Sequence, residues 1–122
     1  MSVSNGYRTY ILDQLAAVPA LNTRRMFGGV GLYSGESFFA LIDDDVLYFK
    51  VDDSNRDDYV SRNMKAFMPI PGKGSMNYYQ VPEDVIEEAD ELARWARRSV
   101  EVALKKKKIP KKKKAPGRRR GP

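Results

Sequence analysis

Arg24-Arg25-Met26-Phe27-Gly28-Gly29-Val30-Gly31-Leu32-Tyr33 is the stretch on which the fold turns. Two hydrophobic strand fragments meet at a glycine-rich corner, and a pair of arginines precedes them. Glycine reaches φ > 0 without steric cost, so the run predicts two short strands joined by a tight turn or a bulge. In a strand, neighbouring side chains point to opposite faces. One of Arg24 and Arg25 is therefore expected in solvent and the other under the first helix. The plain reading is a strand-edge arginine with one ion pair to an acidic residue. The functional reading is a partner-facing arginine anchor.

Hairpins continue outward from this corner. Ser37 to Val51 reads as strand, with Ser34-Gly35-Glu36 turning into it and the acidic triplet Asp43-Asp44-Asp45 turning within it. Ala66 to Met68 and Met76 to Val81 look like a second hairpin around the loop Pro69 to Ser75. Upstream, Tyr7, Ile11, Leu15 and Val18 recur at helical spacing and stop before Pro19. Ser54 is expected to cap a short helix, with Asp57 in a capping-box-like position, running to about Asn63. A final helix spans roughly Glu88 to Leu104, with Leu92, Trp95, Ser99 and Val102 along one side and Ala89, Ala93, Ala96, Val100 and Ala103 beside it. Trp95 is expected to be buried core. Hairpins with helices at both ends imply an α+β, two-layer domain: an antiparallel β-sheet flanked by N-terminal and C-terminal helices.

Charge divides the chain in two. The net charge of its 122 residues is +6, yet residues 105–122 hold eight lysines, three arginines and no acid, a tail of +11. The other 104 residues hold 11 basic groups against all 16 acidic ones, a balance of −5. Two units follow: a folded domain over 1–104 and a basic tail over 105–122. With one large apolar residue, the tail cannot offset its ordering entropy and is expected to be disordered in isolation, its first lysines extending the preceding helix by a turn. Lys105, Lys106, Lys107, Lys108, Lys111, Lys112, Lys113, Lys114, Arg118, Arg119 and Arg120 should bind nucleic acid by counterion release, without sequence preference. No base-reading element accompanies them.

Catalytic chemistry finds little to work with. The chain has no cysteine and no histidine, which removes disulfides, the commonest general base and the commonest transition-metal ligand together. Gly28-Gly29-Val30-Gly31 lacks phosphate-loop spacing and leads into a strand. Gly72-Lys73-Gly74-Ser75 lacks the upstream glycine and is a hairpin loop. Asp43 to Asp45, with Asp52 and Asp53, lacks the alternation, central glycine and closing glutamate of a calcium loop. It reads as an aspartate-rich turn, some of whose carboxylates contact the tail. No enzyme activity, cofactor or metal is expected. No run of about 18 apolar residues and no secretory leader is visible, so a cytoplasmic protein without membrane attachment is expected.

Four blocks carry a family resemblance: Arg24 and Arg25 leading into Met26-Phe27-Gly28-Gly29, with Gly31 and Tyr33 in their observed spacing, Phe39 to Asp52, Met76 to Glu83, and Trp95-Ala96-Arg97-Arg98. In this order the chain resembles the TfoX (Sxy) N-terminal domain family over roughly Tyr7 to Leu104. The resemblance implies an α–β–α order similar to secretion-chaperone-like folds. It also implies regulation of competence genes through protein partners and DNA, the transcription machinery among the candidates, rather than catalysis. Full-length competence regulators of the family carry a second, C-terminal domain where this chain has a lysine tail, so a stand-alone domain is expected. The competing class is a chaperone-like protein-interaction module with no nucleic-acid role. The oligomeric state stays open, a homodimer included.

Overall fold

A computed structural model describes residues 3–26, 29–67 and 77–114. Their elements are α1 (Asn5–Gln14), β1 (Leu21–Met26), β2 (Gly29–Ser34), β3 (Ser37–Asp43), β4 (Val46–Lys50), α2 (Arg56–Val60), β5 (Tyr78–Gln80), α3 (Glu83–Ile86) and α4 (Ala89–Lys114). The strands form one antiparallel sheet in the order β1-β2-β3-β4-β5. The α+β architecture with helices at both ends is therefore present.

Local chemistry explains the joints. Ser4 starts α1: its side-chain oxygen accepts from the Tyr7 N–H at 3.2 Å, satisfying one of the free donors at a helix start. The Ser4 N–H in turn donates to Asp45 Oδ1 at 2.8 Å. Asp45 belongs to the predicted acidic turn, where Asp43 pairs with Val46 and only Asp44 and Asp45 lie between the strands. Both have positive φ, 54° and 58°, as the commonest two-residue hairpin turn demands, and aspartate tolerates that region better than most residues. The glycine corner is a hairpin as well, with Met26 opposite Gly29; Phe27 and Gly28 lie outside the described residues.

The two faces of the sheet are built differently. Val30, Leu32, Ala40, Ile42, Leu47, Phe49 and Val51 face the helices and form one core with Ile11, Leu15, Tyr59, Val85, Ile86, Leu92, Trp95 and Ala96. A bulge helps: the register slips between Leu32 and Tyr33, so Phe39 is an extra residue and enters this core next to Ala40. The Tyr59 hydroxyl is buried here and has no hydrogen-bond partner among the described residues. On the opposite face, Leu41, Phe67 and Tyr78 cluster with Phe38 and Tyr48, and among the described residues no helical one joins them.

Some boundaries differ from the sequence expectation. Asn55, not Ser54, precedes α2. The Ser54 side chain turns back to the Asp52 carboxylate, because a hydroxyl two residues from an aspartate closes a local turn more readily than it reaches forward. The Asn55 side chain accepts from the Asp52 N–H at 2.8 Å and donates to the Lys50 carbonyl at 3.2 Å. Asn63, at φ 60°, ends the turn that follows α2. Of the second hairpin the described residues show the antiparallel bridge between Ala66 and Tyr79 with a backbone hydrogen bond on either side of it, while β5 also pairs with β4; Met68 to Met76 lie outside the described residues. The short α3 has no counterpart in the periodicity. Finally, α4 continues ten residues beyond Leu104. Extending an existing helix needs no nucleation, and cations complement its C-terminal dipole.

Candidate functional site

The basic segment grows directly out of the folded core. Asp90 and Glu91 occupy the first turn of α4, where carboxylates suit the helix dipole. Leu92, Ala96, Ser99, Val102 and Ala103 are buried along one stripe, and the Ser99 hydroxyl donates to the Lys50 carbonyl at 2.8 Å, tying the helix to the end of β4. One turn beyond Val102, Lys105 Nζ sits 3.3 Å from Asp52 Oδ2. Burial pushes the Asp52 carboxyl up, but hydrogen bonds from the Ser54 side chain and backbone, and then Lys105, hold it below its ordinary range. One acidic residue from the Asp52–Asp53 pair thus meets the tail, as expected; Asp45 instead fixes α1.

Beyond that anchor the helix carries eight lysines within the ten residues Lys105–Lys114. At about 1.5 Å of rise per residue this is one positive charge per roughly 1.9 Å of axis. Duplex DNA carries one negative charge per about 1.7 Å. Arg118, Arg119 and Arg120 lie outside the described residues.

The arginine–glycine motif lies at the opposite edge of the sheet. Arg24, Gly29, Gly31 and Tyr33 fall on the face away from the helices, since Val30 and Leu32 alternate with them into the core. The Arg24 guanidinium stands 4.9 Å from the centroid of the Tyr33 ring, which stacks on Phe38 at 5.1 Å; Phe38 meets Tyr78 at 5.3 Å, and Lys50 Nζ lies 4.9 Å from the Tyr78 ring centroid. An aromatic row with a cation at each end therefore crosses the sheet. Arg25 departs from expectation: it is exposed, as Arg24 is. The reason is position, because α4 packs chiefly on β3 and β4 rather than on the edge strand β1. Neither arginine forms an ion pair among the described residues, so the expected pairing is absent there. Gly29 and Gly31 are not among the described residues with positive φ. Gly29 answers to space instead, since a Cβ there would lie 2.3 Å from the Ile42 carbonyl oxygen.

A third feature surrounds Trp95, which is buried as expected. Its ring meets Tyr59 edge-on at 4.9 Å, and its indole N–H donates to Glu91 Oε2 at 2.9 Å. Beside it lies a cleft of about 350 Å³ lined by Asp58, Arg62, Glu91, Arg94 and Arg98. Its guanidiniums already meet carboxylates: Arg62 reaches Asp84 at 3.0 Å, and Arg94–Glu91 and Arg98–Asp58 are close pairs. Hydrogen bonds from Arg94 and then Trp95 hold Glu91 below its ordinary range, so it is an acceptor at neutral pH and not a proton donor. The shifted tyrosines all move away from neutrality; burial, then Glu83 and Asp45, push Tyr7 up to about 12. Among the described residues no group of three or more acidic side chains could hold a metal, and no helix is long and apolar enough to cross a membrane.

Sequence reading missed the aromatic row and the cleft. Alternation in Leu47-Tyr48-Phe49-Lys50 signals two different faces, but which aromatics meet across strands depends on the register. The family model of the TfoX N-terminal domain matches residues 13–103, three quarters of the chain. A comparison with the curated proteins finds no match.

Proposed function

The chain belongs to the TfoX N-terminal domain family, and from that premise we propose a non-enzymatic regulatory module that works through protein partners and holds nucleic acid with its basic segment. Family membership supports a general regulatory, competence-related role. Control of competence-gene transcription in the cytoplasm is the setting this reading adopts. The observation that carries it is the lysine-rich run Lys105–Lys114, placed as a continuation of a helix whose first half is core. A folded, acid-rich domain with such an arm can load onto DNA anywhere while its body stays available to other proteins. Sequence choice then belongs to the partner.

Band shifts of duplex DNA by the full chain and by residues 1–104 test this. The full chain is expected to bind without sequence preference and to lose about 10³-fold or more in affinity between 50 and 200 mM salt, as 6–10 phosphate contacts imply. Residues 1–104 are expected not to bind. Equal retardation by both would move the contact onto the folded domain. No retardation by either would leave the chaperone-like interaction module as the better reading.

A further inference from the structure

One edge of the sheet is open among the described residues. Among the described residues β1 pairs only with β2, so the outward backbone donors and acceptors of Leu21–Met26 meet no other strand. Such a row is a template for an added chain. The far edge is different: the Ala66 bridge covers β5, the Phe67 N–H donates to the Tyr78 carbonyl at 2.8 Å, and the Gln80 N–H donates to the Lys65 carbonyl at 2.8 Å. β1 has neither proline nor a bulge against β2, both common guards of an exposed edge. It carries Arg24 and Arg25, exposed on opposite faces of the strand. Arg56, Arg62, Arg94 and Arg98 each have a carboxylate partner. These two, like Arg8 and Arg97, have none among the described residues, in a domain where acids outnumber bases.

We propose that β1 is the docking edge for an extended acidic segment of a protein partner, which adds to the sheet as a sixth strand. Two consecutive acidic residues in that segment project to opposite faces, so one meets Arg24 above the open face and the next meets Arg25 on the helix side. Main-chain hydrogen bonds supply the affinity and the arginine pair supplies register and charge selection. A second copy of this chain suits the edge poorly, because antiparallel β1–β1 pairing crowds four guanidiniums onto one short ladder. This names the partner chemistry for the protein-interaction role proposed above and rests on that reading.

The test is an NMR titration of the isotope-labelled full chain with a capped octapeptide, Thr-Val-Thr-Glu-Glu-Val-Thr-Val. Expected are shifts and slowed exchange at the amides of Asn22 to Arg25, and an affinity reduced about tenfold or more in the Arg24→Glu/Arg25→Glu double variant. The peptide with Lys-Lys replacing Glu-Glu should restore binding to that variant. Should the charge reversal disturb folding, Arg24→Gln/Arg25→Gln removes the charges alone and should weaken binding in the same direction. Shifts confined to the lysine-rich segment would overturn the proposal, as would equal affinity of wild type and double variant. Equal binding by the fully N-methylated peptide, which cannot join a ladder, would also sink it. So would β1 shifts that grow with protein concentration alone, which assign the edge to a second copy. DNA binding by the full chain is indifferent to all of these results, so failure here and failure of the nucleic-acid reading are separable.

Discussion

The two faces of the sheet show how differently one set of strands can be stabilised. Toward the helices, Val30, Leu32, Ile42, Leu47 and Phe49 join side chains from all four helices in a single core. On the other face, among the described residues, no helix packs as a second layer. Aromatic rings lie against one another there, from Tyr33 through Phe38 to Tyr78 and from Tyr48 to Phe67, with Arg24 and Lys50 over the end rings. Burial among many neighbours rewards each apolar atom removed from water. Ring-on-ring contact rewards geometry instead, at about 0.5–1.5 kcal/mol per pair. The helix side thus specifies the fold, and the open side leaves polar edges and cations within reach of partners.

The largest expected effect measures that asymmetry directly. Phe49→Ala, in the fully buried helix-side core, should cost about 3–5 kcal/mol in denaturant unfolding. Its strand neighbour Tyr48, half-buried on the open face, should cost only about 1–2 kcal/mol on truncation to alanine. Equal losses would mean the two faces are energetically alike. A smaller effect separates space from backbone angle on the motif strand. Gly29→Ala drives a Cβ into the Ile42 carbonyl and should cost about 1–3 kcal/mol. Gly6→Ala, in open space on α1, should raise stability by about 0.5–1 kcal/mol. A neutral Gly29→Ala would show that the sheet relaxes there and that the motif glycine answers to something other than packing. The smallest effect concerns the polar misfit of the helix-side core. Because the Tyr59 hydroxyl is buried without a partner among the described residues, Tyr59→Phe should be neutral or stabilising by up to about 1 kcal/mol. Burial pushes that hydroxyl's pKa up, opposed by the neighbouring Ser99, without hydrogen-bond geometry being reached. A clear loss of thermal stability in Tyr59→Phe would reveal a bond to Ser99 after all.

The elements legible in advance are those whose signal is local. The stripe Tyr7–Ile11–Leu15–Val18, the acidic turn and the α4 face through Leu92, Trp95 and Ser99 each follow from spacing along the chain and from residues that tolerate a given backbone angle. The family match adds the region 13–103 to that local reading. Less legible were the joints at which two segments compete for one group. Ser54 had a plausible cap role by spacing, yet Asp52 lay closer. Gly29 had a plausible turn role by type, yet what excludes a side chain is a carbonyl from β3 thirteen residues away.

By itself, then, the sequence determined the helix and strand periodicities, the turn chemistry and the separation of a +11 tail from a −5 domain, because each depends on neighbours within a few residues or on composition alone. Tertiary structure decided which strand would be the edge, and so why both Arg24 and Arg25 stand exposed. It decided that β5 pairs with β4 as well as meeting Ala66, that Phe39 bulges into the core, and that Lys105 meets Asp52. Each of these depends on contacts between distant segments, whose register is set by the whole sheet and by the helices that cover one side of it.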